Sequence, residues 1–318
     1  MHEKRYDNFS YLEFGSIEPQ SGKRTLYDYR TDEQAYEWLM HGRYSNDIFA
    51  YHQMIKALKL GRNDDVIKVF SQSIHHKDDC VFNMNKMLAL SLAGKQFFEL
   101  WQTLFGCIEG ITFCHNLTHR FVSDLVTENT LLDIEWYGVD ISAFFNAFAI
   151  KMHGEHKVKT ATNMADLLDN YDVVFAKGIT LLYAINNIQA LYDFLMKGKI
   201  TILDYSFSVK TAEHTQIGTG KNVCFLSKAE FALCYEKILA TGKDIWVRGN
   251  AGLHADGQRF YFEGIVAEEV LATQFIHKNT LWHNKFKATQ PELYERLVHN
   301  KTDEYWRWQR LADVIELI

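Results

Sequence analysis

The chain has 318 residues, 47% hydrophobic and 23% charged, with a formal net charge of −6. This composition excludes a disordered chain, and the lack of a clustered Lys/Arg run argues against a nucleic-acid partner. Proline occurs only at Pro19 and Pro291, while 22 Phe, 16 Tyr and 7 Trp make up 14% of the residues. A collagen-like or Pro-rich chain is thereby excluded, and large rings must line cores, interfaces or a pocket.

The opening segment MHEKRYDNFSYLEFG is charged and lacks the apolar stretch of a signal peptide. Apolar runs such as residues 143–150 fall far short of the ~20 residues that span a bilayer. Cys80, Cys107, Cys114, Cys224 and Cys234 form no CxxC pair and have no His at zinc-ligand spacing. Free thiols in a reducing cytoplasm are expected. His75-His76 and Asp78-Asp79 stand close in sequence, but adjacent residues on a helix point in different directions. No metal is therefore expected.

In chain order, Thr31-Asp32-Glu33-Gln34 reads as a helix start, and an apolar stripe then runs to Gly61. Residues 64–73, and 82–93 ending at Gly94, read as two further helices. These features predict an N-terminal helical region over residues 1–108. Beyond it the texture changes to short apolar runs, at 111–114, 136–139, 173–175 and 200–203, alternating with helical patterns at 117–127, 143–152 and 188–196. Such alternation predicts βαβ units and a parallel sheet covered by helices on both faces. A helix over 228–240, ended by Gly242, precedes strand-like runs at 245–247 and 259–262 that predict an antiparallel hairpin. The tail, 292–318, reads as helical, with Tyr305, Trp306 and Trp308 packing back onto the core. An α/β domain over 109–318 is expected, its mostly parallel sheet finished by the hairpin.

Ligands of open α/β sheets bind beyond the carboxyl ends of the strands, so the residues following each run carry the functional reading. Asp140 and Ser142 follow the run at 136–139. Lys177 and Gly178, then Tyr183, follow the run at 173–175, and Tyr205 follows the run at 200–203. Asp140 is read either as an acceptor of hydrogen bonds from ribose hydroxyls or as the cap of a helix beginning near Ser142. Thr162 and Asn163 are read either as adenine contacts or as a turn and helix cap. Lys177 is read as either a solvated lysine or a ligand contact, with Gly178 permitting a tight loop. Tyr183 and Tyr205 could offer ring faces to a cation or serve as ordinary core.

Together the segments YGVDIS (137–142), YDVVFAKGITLLY (171–183) and ITILDYSFS (200–208) resemble the class I S-adenosylmethionine-dependent methyltransferases, over about residues 108–270. The resemblance implies a Rossmann-like fold, with S-adenosylmethionine as cofactor and Asp140 holding its ribose. One departure concerns the first loop. Placed after the run at 111–114, it would read His115-Asn116-Leu117-Thr118-His119, without the family's glycines. His115 and Asn116 would then contact the cofactor's carboxylate or amine, and His115, His119 and Tyr183 are the candidate bases. The leading expectation is a cytoplasmic methyltransferase acting on a small-molecule metabolite, assembled as a homodimer, with no nucleic-acid or membrane partner. Two other readings stand beside it. One is a cyclase or aminocarboxypropyl transferase that releases methylthioadenosine, as in the azetidine-forming enzymes. The other is a non-catalytic Rossmann-like binding subunit. GTGK at 218–221 does not sit between a strand and a helix, as a phosphate loop would require.

Overall fold

The computed structural model describes residues 74–100, 107–127, 134–139, 170–176, 187–217, 221–255, 257–298 and 301–315, and elements are numbered over these. Helix α1 (Ile74–Ala93) ends as expected at Gly94, whose φ is +134°. A side chain there would also strike the Asp172 carboxylate, which accepts from the Gln96 amide and pairs with Lys199. Strand β1 (Gln96–Leu100), helix α2 (Cys107–Phe121), β2 (Glu135–Val139) and β3 (Tyr171–Ala176) follow. Then come α3 (Ile188–Leu195), β4 (Gly198–Ser208), β5 (Glu213–Ile217), β6 (Lys221–Phe225) and α4 (Lys228–Leu239). The chain continues through β7 (Lys243–Arg248), β8 (Gly252–Leu253), β9 (Arg259–Glu268), α5 (Glu269–Thr289) and α6 (Pro291–Leu297). A 3-10 turn (Asp303–Trp306), β10 (Trp308–Arg310) and α7 (Leu311–Ile315) complete it.

The main sheet has the order β10-β7-β9-β4-β3-β1-β2, with β8 paired to β9. Strands β2, β1, β3 and β4 are parallel. Strand β9 runs antiparallel to both β4 and β7, so β7 points the same way as the parallel set. The expected Rossmann-like sheet with its terminal antiparallel hairpin is what the chain forms. Alternate residues of each strand feed two cores. Phe97, Val173, Ile200, Ile202 and Ile265 face α1, α2 and α5, whereas Phe98, Val174, Leu203 and Phe262 face α3, α4 and α7. Helix α4 opens with a Ser227/Glu230 capping box and is followed by Gly242 at φ +85°, as its sequence predicts.

Three expectations change. Residues 111–114 are not a strand but lie inside α2. Its buried residues include Ile111, Cys114, His115 and Thr118, spaced i, i+3, i+4 and i+7, with Leu117 beside them, which is the stripe of a helix docked on a core. The first strand is instead Gln96–Leu100, between β2 and β3. The α/β unit therefore already includes α1 and β1, upstream of the boundary expected at 108. The tail is also mixed, because Trp308–Arg310 pairs with β7, although Tyr305 and Trp306 are buried as expected. GTGK joins the antiparallel strands β5 and β6, a hairpin missing from the sequence reading along with α5. Of the N-terminal helical region expected over 1–108, residues 1–73 lie outside the described residues. Among the described residues no helix is long and apolar enough to cross a membrane, and no group of three His, Cys, Asp or Glu could hold a metal.

Candidate functional site at the carboxyl edge of the sheet

Strand β1 has β2 on one side and β3 on the other, so the chain reverses its direction of winding across β1. Open α/β sheets bind ligands outside the strand ends at such a switch point. Strand β1 ends at Leu100, β2 at Val139 immediately before Asp140, and β3 at Ala176 immediately before Lys177.

Within the sheet at this point lies a buried ion pair. Lys86 Nζ of α1 is 2.9 Å from Glu99 Oε1 of β1, and both side chains are at most 1% exposed. The ammonium also donates to Asn83 Oδ1 at 3.3 Å and sits 4.0 Å from the centre of the Phe175 ring. Glu99 is next to last in β1, level with Gly138 of β2 and Phe175 of β3. Burying two charges costs more than their attraction returns unless the geometry is good. Here the two groups are in direct contact, Lys86 Nζ donating to Glu99 Oε1.

Beyond the switch point, β4 and β9 leave the rest of the sheet behind. The described pairing of β4 with β3 stops at Leu203, but β9 continues from Asp204↔Glu263 to Ser208↔Arg259. Five residues of β4 and β9, with β8 paired to β9 at Tyr261 and Phe260, therefore run past the described end of β3, about 17 Å at strand spacing. The two faces of this pair differ. Tyr205 and Phe207 stack on Phe231 of α4, Phe262 meets it edge-on, and Phe260 packs against Phe207. Asp204 and Ser206, opposite Glu263 and Tyr261, point to the other side, the side of α1 and α5.

That polar face is ordered by hydrogen bonds. The Glu263 carboxylate accepts from Tyr305 Oη at 2.6 Å, Tyr261 Oη at 3.1 Å and Asn250 Nδ2 at 3.2 Å. Burial, and then the neighbouring carboxylates of Glu263 and Asp204, push the Tyr261 phenol far above its ordinary range, so it remains a neutral donor to Glu263. Ser206 Oγ lies 3.5 Å from His254 Nε2, and the His254 ring is 5.8 Å from that of Tyr261. Behind this face Arg248 is fully buried at the end of β7. It donates to Asn279 and Asn85, each at 3.0 Å, and is enclosed by Trp308, Tyr305 and Trp306 at 4.3–4.9 Å.

The residues singled out from the sequence divide sharply. Tyr205 is in place on β4 but buried in the aromatic core, 5.4 Å from Phe231 and 6.0 Å from Phe262. It is not positioned as a catalytic group. His115 sits eight residues into α2, about 12 Å below the helix start, and its Nε2 is 2.9 Å from the Thr127 carbonyl. A carbonyl only accepts, so Nε2 carries the hydrogen. Burial, and secondarily His119, lowers its pKa. His115 is thus a neutral structural tie and not a loop ligand or base. Asn116 belongs to the same helix, so neither forms the first loop. Asp140, Ser142, Thr162, Asn163, Lys177, Gly178 and Tyr183 lie outside the described residues. Lys86, Glu99, Asp204, Ser206, Tyr261 and Glu263 were missed. For Asp204 and Ser206 a signal existed, because LDYSFS alternates apolar and polar residues with strand period.

No family model matches the chain, and no curated protein matches it. Among solved structures, the N-terminal domain of EvdMO1 in the presence of SAH and D-fucose aligns with a TM-score of 0.40 and 10% identity, over 60% of this chain and 83% of that one. The DhpI–SAH complex aligns with a TM-score of 0.33 and 15% identity, over 68% of this chain and 98% of that one. The α/β architecture stands on the strand order itself.

Proposed function

We propose that the protein is an S-adenosylmethionine-dependent transferase that methylates a small-molecule acceptor. One observation carries this reading. The three segments that resemble methyltransferase motifs start on β2, β3 and β4, parallel strands whose ends share one edge with the switch point at β1. The antiparallel β9, inserted between β4 and β7, completes the strand arrangement that the resemblance implies.

The edge suits an adenosyl ligand at its acidic position. Asp140 directly follows β2, where a carboxylate can take both ribose hydroxyls, with Ser142, Thr162, Asn163, Lys177 and Gly178 the further expected contacts. When bound, the cofactor supplies an electrophilic methyl group on a sulfonium. The chain's task is then to align an acceptor with it and to exclude water. Moving the first strand to Gln96–Leu100 changes which residues form the first loop. The sequence between β1 and α2, WQTLFG, has Gly106 as its one glycine, directly before the helix.

Calorimetry with S-adenosylmethionine tests the reading. Saturable binding is expected, weakened at least tenfold by Asp140→Ala. Turnover should release S-adenosylhomocysteine. Methylthioadenosine as the product would replace methyl transfer with cyclisation or aminocarboxypropyl transfer. No binding at millimolar cofactor by folded protein would leave a binding subunit.

A further inference from the structure

We infer that Lys86 is a positioning residue for the cofactor site. By holding Glu99 and Phe175 at once, it sets the ends of β1 and β3 against each other at the switch point, and with them the start of the segments that leave the sheet there. This rests on the transferase reading for the identity of the ligand, but the tie itself is made by residues of α1, β1 and β3.

The placement comes first. Gly138, Glu99 and Phe175 lie level on three neighbouring strands, one residue short of the strand ends at Val139, Leu100 and Ala176. Asp140, Trp101 and Lys177 are the next residues of the chain. The tie therefore sits directly beneath the edge where open α/β sheets bind ligands. Lys86 reaches both strands from α1: its ammonium donates to Glu99 of β1 and lies over the Phe175 ring of β3. On the same face of α1, Asn83 accepts from that ammonium, and Phe82 meets the Phe175 ring edge-on at 5.5 Å. Lys86 and Glu99 are fully buried, so they act on a ligand through the strand ends and not by contact.

Cohesion does not account for a charged pair at this level. The row below on the same face is Phe97, Val173 and Ile200, and the row of Glu99 itself runs on through Phe175 to Ile202. All five are buried and apolar. An ion pair in such surroundings stabilises no more than apolar residues of the same volume, and often less. What it adds is direction, which apolar burial lacks. Direction matters at this edge, because a misplacement of about 1 Å arising far from the reacting atoms can cost about a hundredfold in rate.

The double variant Lys86→Met/Glu99→Leu tests this, because it exchanges the tie for apolar volume. Urea unfolding reads its stability, and calorimetry its affinity for S-adenosylhomocysteine. Hydrogen exchange of the unliganded protein reads local opening, in peptides covering 96–100 and 171–176 against one covering 243–248. Near-native stability is expected, with exchange about tenfold faster or more in the first two peptides and affinity about tenfold weaker or more. Asn83→Ala removes one acceptor from the ammonium and leaves the ion pair. It should move both readouts the same way by about threefold, and it carries the test if the double variant does not fold. Phe231→Leu, on the other side of the sheet, should keep affinity within about twofold of wild type although it lowers stability. Unchanged exchange at 96–100 and 171–176 in a folded variant overturns the inference. So does an equal loss of affinity in Phe231→Leu, which would make the effect one of stability. The two readings fail separately. Faster exchange with native affinity defeats the positioning role alone. Faster exchange in a protein whose wild type binds no S-adenosylhomocysteine defeats the transferase reading alone and leaves the tie between the strand ends standing.

Discussion

The two sides of the sheet are built on different principles. Under α3 and α4 the core is overwhelmingly aliphatic and aromatic, with Phe194, Phe207, Phe231 and Phe262 at its centre. Under α1 and α5 the same sheet buries Lys86 against Glu99, and Arg248 against Asn85 and Asn279. Apolar burial is non-directional and tolerates substitution of similar volume. Buried ions fix their partners' positions but lend little net stability. Both sides supply apolar cohesion, and the α1/α5 side adds buried ions that fix their partners' positions.

The sharpest way to break this comparison is to unpair a buried ion. Lys86→Met leaves Glu99 charged and without its ammonium, and should destabilise by about 3–5 kcal/mol. The double variant Lys86→Met/Glu99→Leu should recover most of that loss in urea unfolding. A double variant no more stable than the single one would show that the pair itself holds the fold. On the α3/α4 side, Phe231→Leu removes ring contacts to Phe207 and Tyr205 and should cost about 1–2 kcal/mol. Chemical denaturation measures it, and a loss as large as that of Lys86→Met would erase the distinction between the sides.

A further effect, smaller than that of unpairing Lys86, is set by pH. His283 stacks on Trp306 at 4.4 Å and shares a 2.8 Å hydrogen bond with Tyr294. Burial first, then Lys287 and Arg248, draws its pKa down from 6.5 to about 4, against an opposing pull from Asp303. The fold therefore holds the neutral ring. Its contribution is complete above about pH 6.5 and is lost as pH falls toward 4. Wild type should lose about 2 kcal/mol more than His283→Gln between pH 7 and pH 5, read from paired urea titrations. Equal slopes would show that the ring does not titrate in this window. Smallest of all is Tyr205→Phe, which should change stability by under about 1 kcal/mol and leave S-adenosylmethionine turnover unaltered. A lost turnover would return Tyr205 to the site.

Much of the fold was legible because its signals were local. The runs of β2, β3, β4 and β7 are short and apolar, and Gly94 and Gly242 mark the ends of α1 and α4 where the chain takes positive φ. Strand β1 was hidden because QFFEL carries a charge at a position that reads as core only once Lys86 is seen beside it. ITFC at 111–114 misled for the opposite reason, since β-prone side chains were overridden by docking of a helical stripe. Of the residues read as the site, Asp140, Ser142, Thr162, Asn163, Lys177, Gly178 and Tyr183 lie outside the described residues. Attention fell on the ring of Tyr205, and the strand's pleat turns that ring inward while Asp204 and Ser206 look out.

The Arg248 cage also sets an order of events in folding. Its partners Asn85, Asn279 and Trp308 come from three distant parts of the chain, with 163 residues between Arg248 and Asn85 and 194 between Asn279 and Asn85. Contacts so remote in sequence are slow to form, because loop closure must precede any gain. The guanidinium is fully enclosed only once β10 has joined β7 and brought Trp308 over it. A nascent chain lacking the segment 303–310 leaves Glu263 without its hydrogen bond from Tyr305.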